Sequence, residues 1–258
     1  MSRSSKAASC SSCRRSRCGS CGGCLGRLLV TVLVLAVVAG LVVFLPGLLD
    51  TRHRIVLDPG HGGGDPGAPG IVTESEMTDR TAALLAEMLE EQGSFKVTIT
   101  RTPEESASIR ERVRTARFAR AQLFLSIHGN SAEDPAASGF ECYPVPPGRE
   151  NHSESLTFGT LLAEEMEKAG AFLRGSDGIR YAYYLEDDSK ELVDGSDTRV
   201  RTEPSFGVLD SAGCPAVLAE QCFVTNEADV DAFGDEDGCA AAATAYYQAI
   251  LRWFGEET

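Results

Sequence analysis

Acidic residues are absent from the first 49 positions of this 258-residue chain, and residues 28–49 carry no charged side chain at all. Residues 1–27 hold Arg3, Lys6, Arg14, Arg15, Arg17 and Arg27, a net +6. The 22 uncharged residues that follow are mostly Val, Leu and Ala. At about 1.5 Å per residue they reach across a bilayer core of roughly 30 Å. The apolar region of a cleaved signal peptide is usually shorter, about 7–15 residues. The expectation is an uncleaved transmembrane anchor over 28–49, a cytoplasmic tail over 1–27, and an extracytoplasmic domain over 50–258.

Basic residues are the scarce charge beyond that point. Residues 50–258 keep 18 of the 24 Lys and Arg and all 38 Asp and Glu, a formal −20. This excludes nucleic acid as a partner, because its binding depends on neutralising phosphates. It also leaves no electrostatic hold on an anionic wall or membrane surface, so the span would be what keeps the domain in place. The segment is long enough for one domain with a substantial core. Five of the nine cysteines crowd the tail (Cys10, Cys13, Cys18, Cys21, Cys24) in paired C-x2-C spacing. The gap between the pairs is short for a zinc site, so the reading is a disordered Ser/Arg/Gly/Cys tail, with zinc binding or acylation as alternatives. Cys142, Cys214, Cys222 and Cys239 lie outside, where disulfides could form. No Ser-His-Asp order is present, and Cys214 and Cys222 lack a basic partner in sequence, so covalent catalysis has no candidate.

Short apolar runs alternate with helical patterns over the rest of the chain, which predicts an α/β sheet. Strands are expected over Arg54–Leu57, Phe95–Thr100, Gln122–Ile127, Gly139–Val145 and Pro215–Ala219. Helices are expected over Glu76–Gln92, Ser108–Ala121, Glu154–Ala169 and residues 238–254, where apolar positions recur at helical spacing. The arginines of Ser108–Ala121 fit a solvated face. Residues 170–203, rich in Gly, Asp and Tyr, read either as an insertion beside the site or as a surface loop.

Histidine is rarer still: His53, His61, His128 and His152 are the whole set. His53 and His152 lack a patterned neighbourhood and read as surface residues. His61 and His128 each follow a strand and are flanked by glycine, and strand ends are where α/β active sites collect. Imidazoles from two strand ends can share one metal ion, which a carboxylate commonly completes. Glu74 and Glu76 both stand at the start of the first helix, where a carboxylate can also simply favour the helix N-terminus. Spacing does not choose between them. Glu220 follows a buried apolar run, a costly place for a carboxylate unless it is solvated or paired. Beside a metal-activated water it makes sense as a general base.

Taken together, IVLDPGHGGGDPGA (55–68), a Glu opening the first helix, RTPEESASIRER (101–112), ARAQLFLSIHGNSA (119–132) and PAVLAEQCFVTNEAD (215–229) resemble the zinc-dependent N-acetylmuramoyl-L-alanine amidases. The motifs stand in that family's order from about His53 to Phe254. The resemblance implies a mixed β-sheet flanked by helices, a Zn²⁺ cofactor, peptidoglycan as substrate and a role in remodelling the bacterial cell wall. It places His61, Glu74 and His128 at the zinc ligands and Glu220 at the catalytic glutamate. It prefers Glu74 to Glu76 because the family's ligand precedes the first apolar helix position, here Met77, by three residues. Cys222 stands where the family usually has glycine, Thr78 where it often has asparagine, and residues 170–203 align poorly. The alternatives are another zinc amide hydrolase and a non-catalytic, wall-binding regulatory relative. Protein partners are not legible.

Overall fold

The computed structural model describes residues 22–187 and 189–256, so the tail cysteines Cys10, Cys13, Cys18 and Cys21 lie outside the described residues. The chain divides into two units, Met1–Thr51 and Arg52–Thr258. In the first, Gly22–Leu49 is a helix, α1. Its side chains are described only over residues 27–40. Among the described residues no helix is long and apolar enough to cross a membrane.

The second unit is an α/β domain. Its strands are β1 (His53–Pro59), β2 (Phe95–Ile99), β3 (Leu123–Asn130), β4 (Glu141–Pro144), β5 (Arg180–Tyr184), β6 (Lys190–Asp194) and β7 (Ala216–Phe223). Its helices are α2 (Glu74–Gln92), α3 (Ile109–Ala119), α4 (His152–Lys168), α5 (Gly207–Ser211), α6 (Glu227–Phe233) and α7 (Glu236–Phe254). The main sheet runs β2-β1-β3-β7-β4, parallel except for β4, which pairs antiparallel with β7 at the edge. It is therefore mixed and flanked by helices. Successive strand residues face opposite ways, and this period splits the core in two. Ile55, Leu57, Leu123, Leu125 and Ile127 pack with α2, α4 and α7 residues such as Leu85, Phe158 and Tyr246. Val56, Phe124, Ala216 and Leu218 pack on the other face with Ala116, Val208 and Leu209.

The chain leaves β1 through α2 to β2 on one side, then passes through α3 to β3 on the other side of β1. Strand order thus reverses between β1 and β3. In open α/β sheets the crevice at such a switch point, beyond the carboxyl ends of the strands, is where ligands bind.

Several elements depart from the sequence expectation. β3 and β7 run on through His128 and Glu220, because each polar residue there faces the crevice while its neighbours stay buried. Residues 170–203 contain the antiparallel β5–β6 hairpin, tied to the main sheet where the Cys142 N–H donates to the Gly178 carbonyl at 2.8 Å. The short helices α5 and α6 were not expected. Cys142, Cys214, Cys222 and Cys239 are buried free thiols, not disulfides. His53 is not a plain surface residue: its ring stacks on Phe254 at 4.2 Å, with Nε2 3.2 Å from Glu256. His152 Nδ1 lies 2.7 Å from the Val145 carbonyl oxygen. Arg112, expected on a solvated face of α3, is buried.

Candidate metal centre

Two buried arginines fix the loop that leaves β1. The Asp58 carboxylate, 1 % exposed, accepts from Thr100 Oγ1 at 2.6 Å, Arg112 Nη1 at 2.7 Å and Ser126 Oγ at 2.8 Å. Arg112 also donates to the Pro59 carbonyl at 2.6 Å and, through Nη2, to that of His61 at 2.7 Å. Arg101 Nη2 donates to the Gly60 carbonyl at 2.6 Å and Nη1 pairs with Asp79 at 2.8 Å. Held this way, His61 adopts φ 57°, a left-handed conformation that non-glycine residues seldom take. Strain of this kind persists where the surroundings over-determine it, and it gathers at functional sites.

The structure brings together His61, Glu74 and His128, whose ligating atoms all lie within 4.8 Å of one another. Glu74 is the first residue of α2, and Glu76 is not part of the group. Glu74 Oε1 sits 3.1 Å from both His61 Nε2 and His128 Nδ1. The same oxygen accepts the Gly129 N–H at 2.9 Å, and Oε2 accepts that of Ala68 at 2.7 Å. His61 Nδ1 lies 2.9 Å from Asp65 Oδ2, which fixes the ring and leaves Nε2 facing its neighbours. An outer carboxylate on a histidine is a common device for orienting a metal ligand. Two imidazole nitrogens and one carboxylate oxygen, with room left for water, form a donor set suited to zinc.

The rings need glycine to come this close. A Cβ on Gly60 would fall 2.4 Å from His128 Cε1. One on Gly67, at φ 79°, would fall 2.4 Å from Glu74 Oε2. Both positions lie in the loop between β1 and α2.

Electrostatics follow from the geometry. Burial works against the charged form of Glu74, but hydrogen bonds from His128 and His61 outweigh it and hold the carboxyl well below the usual range. The hydrogen bond to Glu74 raises His61 to about 9 against the opposing effect of burial, with Asp65 adding to the rise. A cation between these groups would take over the role those protons play. Glu220 stands directly across from His128 in the β3–β7 register. Burial pushes its carboxyl up to about 7, the His128 charge opposing and Glu74 adding. Its Oε2 is shielded from solvent and has no hydrogen-bond partner among the described residues.

These residues line one cavity of about 810 Å³ together with Asp58, Arg112 and Asn130. Sequence reasoning missed Asp58, Arg101 and Arg112 as supports of the His61 loop. The signal was present, since Asp58 lies three residues before His61 and both arginines fall within the 101–112 motif. Of the two departures from the family pattern, the Thr78 hydroxyl donates to the Gly60 carbonyl at 3.3 Å, close to the His61 loop. Cys222 is buried with Sγ 3.7 Å from Met77 Sδ, behind the site rather than in it.

A protein family described as N-acetylmuramoyl-L-alanine amidase matches residues 55–252. Among curated proteins, the N-acetylmuramoyl-L-alanine amidase CwlM of Bacillus licheniformis is 29% identical over 203 residues, covering 78% of this chain and 68% of that protein. The germination-specific N-acetylmuramoyl-L-alanine amidase of Bacillus subtilis is 24% identical over 228 residues, covering 82% and 84% respectively. Among solved structures, the catalytic domain of CwlV, an N-acetylmuramoyl-L-alanine amidase from Bacillus (Paenibacillus) polymyxa, superposes with a TM-score of 0.63 at 26% identity. That match covers 80% of this chain and 100% of the CwlV domain.

Proposed function

This chain belongs to the N-acetylmuramoyl-L-alanine amidase family through residues 55–252, and on that premise we propose how its residues divide the hydrolysis of peptidoglycan. The bond cut is the amide joining the lactyl group of N-acetylmuramic acid to L-alanine. His61, Glu74 and His128 would hold Zn²⁺. Zinc in such a site supplies a Lewis acid that acidifies water and polarises a carbonyl.

The chain's own residues do the rest. Asp65 holds His61 with Nε2 turned to the centre, and the Gly129 and Ala68 N–H groups hold the Glu74 carboxylate in place. Glu220 takes a proton from the attacking water at its carboxylate and returns it to the departing alanine nitrogen. A carboxyl near 7 suits both halves of that exchange, since it can accept and give back a proton near neutral pH. The observation that carries this reading is the convergence of His61, Glu74 and His128 with Glu220 facing them across one pair of strands.

The test is digestion of purified peptidoglycan with product analysis and a zinc assay. The expected products are free N-terminal alanine and intact glycan strands, with about one zinc per chain. Cleaved glycan, or a cut elsewhere in the peptide, would overturn the reading.

We also propose that residues 28–49 anchor the protein in the cell membrane, with residues 1–27 in the cytoplasm and the amidase outside. The uncharged run behind a +6 tail supports this orientation. So placed, the enzyme reaches only wall strands near the membrane, which fits remodelling better than release as a diffusible lysin.

A further inference from the structure

The cavity has a wall that the proposed hydrolysis leaves unused, made by Tyr184 of β5, Lys190 of β6, and Ser205 and Phe206 in the segment that follows. Ser205 is only 4% exposed, yet its hydroxyl has no hydrogen-bond partner among the described residues. The segment around it is firmly held. The Ser205 N–H donates to Asp210 Oδ2 at 2.8 Å, Asp210 is ion-paired with Arg149, and the Tyr184 N–H donates to the Pro204 carbonyl at 2.8 Å. Phe206 lies edge-on to Tyr184 at 6.1 Å and to Tyr143 at 5.1 Å between ring centroids. Lys190 Nζ stands 5.5 Å from the Phe206 ring centroid.

Charge singles out Lys190. Asp58, Asp65, Glu74 and Glu220 all line this cavity, in a domain of formal −20, and such a field repels an anionic ligand. Two basic residues line it as well, and Arg112 is engaged with Asp58 and three backbone carbonyls. Lys190 is exposed and makes no ion pair among the described residues. A cation on an aromatic pad, next to a buried hydroxyl without a partner, suits a carboxylate attached to a short apolar chain.

We propose that Tyr184, Lys190, Ser205 and Phe206 form a carboxylate-binding subsite for the peptide stem that follows the scissile L-alanine. Lys190 pairs with the stem carboxylate, Ser205 donates its hydroxyl hydrogen to the same group, and the two rings pack against the stem's methylenes. The inference rests on the amidase reading and assigns selectivity within it to the β5–β6 hairpin and the strap behind it.

The test uses the full chain in detergent and two soluble substrates, N-acetylmuramoyl-L-alanyl-glutamate with its carboxylates free and the same compound fully amidated. The wild type is expected to favour the free acid about tenfold in kcat/KM through KM, the scale of one charge-assisted hydrogen bond. Lys190→Gln should bring that ratio close to one, and Ser205→Ala should lower it in part, both with wild-type zinc content. Because Lys190 is exposed, its replacement does not threaten folding. A ratio unchanged in Lys190→Gln, or a preference residing in kcat, would overturn the subsite. Whole peptidoglycan digested alongside separates the two ideas: wild type that releases alanine there but prefers neither soluble compound sinks the subsite alone. Absence of release there sinks the amidase reading and the subsite with it.

Discussion

At Glu220 the environment and the assigned chemistry agree. A carboxyl taken from water with one oxygen unpartnered is costly, and a fold keeps such a group where it has work to do. Replacing Glu220 with Gln keeps the shape and removes the base. Zinc content should stay at the wild-type level while turnover falls by roughly 10²–10⁴. Wild-type turnover with zinc bound would show that another group carries the proton. Arg112 acts one step further out, since one guanidinium joins Asp58, the Pro59 carbonyl and the His61 carbonyl. Arg112→Met leaves Asp58 buried without its charge partner, a change that typically costs about 3–5 kcal/mol. It also frees the strained His61 backbone, so zinc affinity should drop by about 10–100-fold, the usual range for losing an outer support. Thermal unfolding and zinc titration read the two effects separately. A stability loss with unchanged zinc affinity would confine Arg112 to the fold.

At the scale of elements, the site depends on how closely the loop after β1 crosses the end of β3. Gly60 lies under the His128 ring, and even one methyl group there would overlap it. Gly60→Ala should therefore push His128 aside and weaken zinc binding, while the far end of the sheet and the helices keep their packing. Loss of zinc with retained far-ultraviolet circular dichroism is the expected pair of results, and full zinc occupancy would show that the ring has room to move. The strands that carry these residues were legible because parallel strands buried on both faces leave near-continuous apolar runs, as Leu123–Ile127 and Ala216–Ala219 do. Their ends were not, since the run stops at His128 and Glu220 although the hydrogen-bonded ladder continues past both. The same limit hid the β5–β6 hairpin. Its paired residues include Arg180, Glu191, Lys190 and Asp194, whose polar side chains mask the period of a strand. Spacing alone did not separate Glu74 from Glu76; the family resemblance preferred Glu74, and the approach of α2 to the ends of β1 and β3 brings that carboxylate to the histidines. Arg101 and Arg112 stood in a legible motif, but their role did not show: a buried arginine and a solvated one look alike until the Asp58 and loop carbonyls they serve are in place.

At the scale of the whole molecule, the charge of the domain bears on the proposed anchor. A domain of formal −20 gains nothing electrostatically from an anionic surface, so residues 28–49 are what would hold it there. Six basic residues and no acidic one precede that uncharged run, and such an excess of Lys and Arg marks the side that stays in the cytoplasm. In intact cells, cysteines within residues 1–27 should be shielded from a membrane-impermeant thiol reagent. Cys142, Cys214, Cys222 and Cys239 are buried and would add little background unless the domain were unfolded. Protease added from outside to cells stripped of wall should remove the domain and leave a membrane-bound fragment. Domain released into the medium without protease would instead point to cleavage within the apolar run. The tail would then be discarded with the leader, and its five cysteines could serve neither zinc nor lipid in the mature enzyme. The anchored outcome is expected because the uncharged run exceeds the length of an ordinary signal peptide's apolar region, and its flanking charge fixes one orientation.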